Sequence, residues 1–184
     1  MLPQALATLV AEVRAGRRQV VECGSGVSTV VLARALGEAD GRLHSLEHDP
    51  AWAARIRSLL VDEGLDRFAG IVESPLAPHP AALDGGSWYG GEALAELPEA
   101  GVDLLLVDGP PAGEPGRARS RYPALPILGS RLTEDALVVL DDAHRPGETA
   151  VLAAWERESD LRFQRLDEQR IALGRREAEA VDSI

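Results

Sequence analysis

Five apolar runs in this 184-residue sequence each lead into a carboxylate: Glu22, Glu47, Glu73, Asp108 and the pair Asp141-Asp142. Carboxylates accept hydrogen bonds from sugar hydroxyls, balance a cationic ligand, hold a hard divalent ion, or take a proton from an acceptor. Immediately after Glu22, the segment Cys23-Gly24-Ser25-Gly26 places two glycines one residue apart, just before a helical apolar pattern. Glycine in such a turn lets backbone N–H groups approach a ligand where a side chain would block them.

The elements that must position these residues read as alternating strands and helices. Leu2, Leu6, Leu9, Val10 and Val13 share one helical face, with Pro3 at its start and Gly16 at its end, so residues 1–16 form an N-terminal helix. A strand over 19–22 and a helix to about 36 follow, with Gly37 and Gly41 expected to break that helix. A strand over 43–47 leads to Asp49 and Pro50, an N-cap and first helical residue, for a helix that stops near Gly64. A third strand covers 68–73. Residues 74–98, rich in proline and glycine, read as a long surface loop carrying Trp88-Tyr89, with a short helix over 92–97. Residues 102–108 are nearly continuously apolar, as a central parallel strand is. After a loop over 109–116 come a helix over 118–131 interrupted by Pro123 and Pro126, a strand over 136–140 and a helix over 148–157. Residues 161–166 and 170–173 form a hairpin, and 175–184 a frayed tail. The pattern predicts a single α/β domain over 1–184: a doubly wound, Rossmann-like sheet, mostly parallel, with an antiparallel C-terminal edge hairpin.

Composition narrows the function. With 30 acidic residues against 19 basic ones, all arginine, the net charge is −11, which argues against a nucleic-acid partner. No apolar run reaches the roughly 18–20 residues of a membrane span, and no signal-peptide order is present. The single cysteine, Cys23, excludes an internal disulfide and suits a cytoplasmic protein; between Glu22 and Gly24 it reads as a small residue at a tight strand end.

In open α/β sheets the ligand crevice lies beyond the carboxyl ends of the strands, so the acids are expected along one edge. Glu47 stands about 20 residues after the glycine turn, the spacing at which an acid holds ribose hydroxyls. A dinucleotide fingerprint wants a third glycine at position 29, where this chain has Thr29. Glu22 beside the turn disfavours a diphosphate and favours a cationic ligand. S-adenosylmethionine, an adenosine with a sulfonium and an amino-acid tail, fits both features. An NAD-linked oxidoreductase and a non-catalytic S-adenosylmethionine-binding module are the alternatives.

On Glu22-x-Gly24-x-Gly26, Glu47, Asp108-Gly109-Pro110-Pro111 and Leu140-Asp141-Asp142, the chain resembles class I S-adenosylmethionine-dependent methyltransferases over most of that fold. It is more closely similar to a bacterial subgroup with GSG-x-ST, SLEHDP-x-W, VDGPP and LDDA-x-R motifs, here Gly24 to Thr29, Ser45 to Trp52, Val107 to Pro111 and Leu140 to Arg145. The resemblance implies that Gly24, Ser25 and Gly26 approach the methionine part of the cofactor, with Glu22 near its amino group. It implies that Ser28 and Thr29 cap the helix start, Glu47 holds the ribose, His48 lies beside the adenine and Ser74 at the adenine edge. Asp108 then sits next to the methionine tail and the transferred methyl.

Methyl transfer is an in-line displacement, for which a protein aligns nucleophile and sulfonium and, where needed, removes a proton. Asp108 and Asp141 are candidates for that acceptor side, with His144 as a general base or else a surface histidine. Asp108, Asp141 and Asp142 have a further reading: a Mg²⁺ site that acidifies a hydroxyl acceptor. Their spacing resembles metal-dependent catechol-type O-methyltransferases, which have Asn at the position of Asp142 and a lysine base that this chain lacks. Alternatively Asp141 caps a turn and Asp142 pairs with Arg145 or Arg121. The Asp108-Gly109-Pro110-Pro111 run lacks the aromatic of amino-methyltransferases, Ala112 standing there, so oxygen is slightly favoured over nitrogen in a small-molecule acceptor. Trp88, Tyr89, Arg121 and Tyr122 border the mouth, Trp88 and Tyr122 more simply as packing residues. The acceptor site is expected to be open or completed by the second subunit of a homodimer.

Overall fold

The computed structural model describes residues 1–113 and 116–177. In chain order these form α1 (Pro3–Ala15), β1 (Gln19–Cys23), α2 (Val27–Ala39), β2 (Arg42–Glu47), α3 (Pro50–Asp62), β3 (Ala69–Glu73), β4 (Leu76–Pro78), β5 (Ser87–Tyr89), α4 (Gly91–Leu94), β6 (Val102–Val107), α5 (Ala124–Leu128), β7 (Leu132–Leu140), α6 (Pro146–Glu158), β8 (Leu161–Leu166) and β9 (Ile171–Arg176). A seven-stranded sheet has the order β3-β2-β1-β6-β7-β9-β8. The first five strands in that order are parallel, and β9 runs antiparallel to both β7 and β8. β1 has β2 on one side and β6 on the other, so the strand order reverses there, and a crevice opens at such a reversal. No helix among the described residues is long and apolar enough to cross a membrane.

Both faces of the sheet are covered, which is why β6 is apolar at nearly every position. Leu104 and Leu106 join Val20, Leu43 and Val139 under α1, α2 and α3. Leu105 and Val107 join Val21, Leu46, Val138 and Trp155 under α5 and α6. Cys23 lies in this second core, and burial pushes its thiol well above the usual range. It is a packing residue.

Several boundaries differ from the sequence reading. α2 runs through Gly37 to Ala39, because glycine there makes room for the Phe68 ring, whose nearest carbon lies 2.8 Å from where a Cβ would stand. The expected loop over 74–98 contains a small antiparallel sheet, Leu76 opposite Tyr89 and Ala77 opposite Trp88, too short and too rich in proline to show a period. The helix expected over 118–131 is reduced to α5 and a 3-10 turn, Gly129–Arg131. Pro123 disfavours helical backbone before it, and Pro126 is tolerated because it falls in the first turn of α5, whose N–H groups have no helical partner. Strand β7 begins at Leu132, earlier than expected. Arg175 and Arg176, assigned to a frayed tail, belong to β9; residues 178–184 of that tail lie outside the described residues.

Candidate active site

The turn from β1 into α2 is built by close backbone packing. Gly24 has φ +91°, and a Cβ on it would lie 3.0 Å from the Cα of Gly109. Its N–H donates to the Leu46 carbonyl at 2.8 Å, while the Asp108 N–H donates to the Cys23 carbonyl at 3.0 Å. The ends of β1, β2 and β6 are thereby tied at one point. Beside Gly26 no protein atom lies within 4 Å of where a Cβ would stand, so the start of α2 faces open space.

Glu22 lies beneath this turn. It is fully buried, and its carboxylate accepts from Ser28 Oγ at 2.5 Å, Thr29 Oγ1 at 2.6 Å and Ser45 Oγ at 2.7 Å. Thr29 Oγ1 also accepts from the Gly26 N–H at 2.8 Å, capping α2. Ser28 and Thr29 thus support the turn, and Glu22 in this structure meets their hydroxyls in place of an open ligand surface. Burial raises its pKa, and the three hydroxyls lower it in part.

A cleft of about 270 Å³ opens above, lined among others by Gly24, Ser25, Glu47, His48, Trp52, Tyr89 and Asp108. Glu47 is nearly buried, and its two oxygens are occupied by local donors. Oε2 accepts from Ser25 N at 3.0 Å and Ser25 Oγ at 2.8 Å; Oε1 accepts from the N–H groups of His48 and Asp49 at 2.8 and 2.9 Å. The His48 Nδ1 lies 2.9 Å from the same Oε1. Asp49 caps α3 as expected, accepting from Ala51 N and Trp52 N.

Ser74 follows β3, its N–H on the Glu47 carbonyl at 2.7 Å, and its buried hydroxyl has no partner among the described residues. The Tyr89 hydroxyl is likewise buried without a partner, 2.7 Å from where a Cβ on Gly109 would stand. Burial raises its pKa well above the usual value, so it stays protonated and is a donor. Glu73 stands outside this group: it is exposed and pairs with Arg57. The acids do end the parallel strands at one edge, but only Glu47 and Asp108 line the cleft.

Beyond the ends of β6 and β7, Asp108, Asp141 and Asp142 each bring one carboxylate oxygen within 4.8 Å of the others. Arg121, 4% exposed, enters this cluster from the turn before α5. Its Nη2 lies 3.2 Å from both Asp108 Oδ1 and Asp142 Oδ2, and donates to the Asp108 carbonyl at 3.0 Å. Its Nη1 donates to the Asp141 carbonyl at 2.9 Å and stands 3.6 Å from buried Glu148. Arg145 adds a second cation on Asp142 at 2.9 Å, so Asp142 pairs with both arginines named for it. The Met1 ammonium lies 3.2 Å from Asp141 Oδ2 and 3.9 Å from Asp108 Oδ2. Burial and the neighbouring Asp141 push Asp108 up to about 8, against the lowering effect of Arg121. His144 is exposed on the turn that follows.

A divalent ion does not fit this donor set. Two of the three carboxylates already share one guanidinium nitrogen, and the carbonyls of Asp108 and Asp141 hold that guanidinium in place. An ion on those oxygens would have to displace the guanidinium or share both carboxylates with it.

The sequence places Tyr89 and Arg121 at the mouth, Arg121 also as a partner for Asp142, and Trp52 only within a motif. Trp52 Nε1 donates to the Ser25 carbonyl at 2.9 Å and pins the glycine turn from α3. Its signal was present, as Trp52 closes the SLEHDP-x-W motif. Tyr89 comes from the three-residue β5 and Arg121 from an irregular turn, each too short for spacing to say anything about direction.

A family model described as a methyltransferase domain matches residues 21–143. No curated protein sequence matches the chain. Among solved structures, the chain is similar to a methyltransferase from Geobacter sulfurreducens (TM-score 0.68, 20% identity, 97% of this chain and 80% of that one). It is similar also to an S-adenosylhomocysteine-bound methyltransferase from Podospora anserina (TM-score 0.70, 14% identity, 97% and 80%). A third is an O-methyltransferase from Bacillus cereus in complex with S-adenosylhomocysteine (TM-score 0.63, 18% identity, 95% and 81%).

Proposed function

The chain belongs to the methyltransferase-domain family, and from that premise we propose that it transfers the methyl group of S-adenosylmethionine to a small-molecule acceptor, oxygen before nitrogen. The observation that carries this reading is the cleft where β1, β2 and β6 end, with the glycine turn on one wall and Glu47 and Asp108 on the others. The family fold supports the cofactor, and the solved O-methyltransferase among the similar structures supports the oxygen acceptor.

The residues present fit that cofactor. Gly24 and Ser25 bring the turn to the cleft wall without a bulky side chain, and the Tyr89 hydroxyl there has no partner among the described residues. The cofactor when bound supplies an electrophilic methyl on a sulfonium. Glu47 holds the ribose hydroxyls, for which Ser25 Oγ must rotate off Oε2, since the other donors to this carboxylate are backbone N–H groups and the His48 ring. His48 and Ser74 flank the adenine. Glu22 acts from below, fixing Ser28 and Thr29. Asp108 faces the amino-acid tail, and Asp141 stands on the acceptor side with it. Neither the dinucleotide reading nor the non-catalytic one gains an observation.

Calorimetry tests this. S-adenosylmethionine and S-adenosylhomocysteine should bind with micromolar affinity and NAD should not; binding of NAD in place of both would overturn the assignment.

A further inference from the structure

We propose that Arg121 takes the place that a divalent ion could occupy among these carboxylates: a fixed cation, built into the chain, that orients Asp108 and ties it to Asp142. The inference rests on the methyltransferase reading for its consequence, which is transfer without a metal, but its geometry is independent of that reading.

Three observations carry it. First, Arg121 Nη2 bridges Asp108 Oδ1 and Asp142 Oδ2 at 3.2 Å each, which are two of the three carboxylates that could ligate an ion. A guanidinium has rigid, diverging donors and never loses its proton in the working pH range, so it can hold both acid side chains throughout that range. Second, the guanidinium cannot step aside. Its donors also meet the carbonyls of Asp108 and Asp141, at the ends of β6 and β7, and the side chain is 4% exposed. Displacing it would leave a buried charge and two carbonyls unpaired, which folded proteins avoid. Third, Asp142 is also engaged by Arg145 at 2.9 Å, so its Oδ2 already has two cations.

The arrangement has a functional side. Asp108 lines the cofactor cleft, and its carboxylate direction is set by the Arg121 bridge. Arg121 is therefore a positioning residue: it acts on the site through Asp108. A metal would do the same orienting, but it would exchange with solvent, whereas this cation is covalently part of the chain. Acceptor activation must then come from side chains.

The experiment measures metal binding apart from turnover. Mn²⁺ is titrated into the full chain and followed by electron paramagnetic resonance, in the wild type, Arg121→Met and Arg121→Lys. The wild type should show no bound Mn²⁺ into the millimolar range. Arg121→Met, which removes the guanidinium shared by Asp108 and Asp142, should gain a site at least tenfold tighter, and Arg121→Lys should not. S-adenosylhomocysteine affinity of the wild type should be the same in Mg²⁺ and in a chelator. It should fall in Arg121→Met and recover in part in Arg121→Lys. Stoichiometric Mn²⁺ binding by the wild type that is lost in Asp142→Asn would overturn the proposal, and so would a folded Arg121→Met that gains no site. If Arg121→Met does not fold, the wild-type titration with Asp142→Asn decides alone. A protein that binds no S-adenosylhomocysteine would refute the methyltransferase reading and leave the Mn²⁺ result standing.

Discussion

Gly24 and Gly109 meet backbone to backbone: a Cβ on Gly24 would lie 3.0 Å from the Cα of Gly109, and one on Gly109 would lie 2.8 Å from the Cα of Gly24. Neither neighbour can yield, because the Leu46 carbonyl holds the Gly24 N–H and the Cys23 carbonyl holds the Asp108 N–H just before Gly109. The floor of the cleft is thus two chain segments in contact, with no side chain between them.

Gly24→Ala must place a methyl group there at a left-handed φ. Strain of about 1–2 kcal/mol from the backbone and about 1–3 kcal/mol from overpacking should lower stability by roughly 2–5 kcal/mol. Gly26→Ala meets no protein atom and should leave the melting temperature nearly unchanged, while weakening cofactor binding. Thermal melts and calorimetry on the pair separate the two glycines; equal loss of stability in both would show that the turn is purely structural.

What could be read from the sequence follows from how local each signal is. Strand β6 was legible because burial on both faces demands an unbroken apolar run, and Asp49-Pro50 because a cap is a local device. Asp108 and Glu47 could be placed since strand ends fix where a residue sits. Glu22 shows the limit: its position was right, but whether a side chain points up into a cleft or down into Ser28, Thr29 and Ser45 depends on strand twist and α2 packing. Tyr89 and Arg121 could be placed at the mouth, Arg121 also as a partner for Asp142, but the direction of each side chain could not. Each is delivered by a segment whose course is set by distant contacts: β5 by its three-residue pairing with β4, and Arg121 by carbonyls across the sheet edge.

Glu47 and Ser25 give a paired prediction. Glu47→Ala removes the proposed ribose acceptor and also strands the Ser25, His48 and Asp49 N–H groups, so cofactor affinity should fall about tenfold to a hundredfold. Ser25→Ala removes only the competing hydroxyl from Oε2 and should bind the cofactor at least as tightly as the wild type. A loss in Ser25→Ala comparable to that in Glu47→Ala, read by calorimetry, would mean that the hydroxyl itself contacts the ligand.

Glu22→Ala should cost stability more than affinity. It leaves three buried hydroxyls, those of Ser28, Thr29 and Ser45, without their acceptor, and each unpaired group costs about 1–3 kcal/mol. The variant should unfold at clearly lower denaturant concentration. Full stability with lost cofactor binding would place Glu22 in direct contact with the ligand.

Asp108 ties pH to both stability and binding, with opposite signs. Burial first, and then Asp141, push its pKa from 3.8 to about 8, with Arg121 opposing. Between those two values the folded chain holds a proton that the unfolded chain has released, so Asp108 makes its full contribution to stability below the unfolded value and loses it as pH rises through about 8. A cationic amino-acid tail beside Asp108 needs the carboxylate form. Cofactor affinity should therefore rise with pH up to about 8 and level off above, and binding near neutrality should release a proton. Calorimetry in buffers of different ionisation enthalpy reads that proton directly, and melts at several pH values read the stability. In Asp108→Asn both dependences should flatten; a proton release that survives the substitution would have to come from another group and would remove Asp108 from the cofactor's side of the cleft.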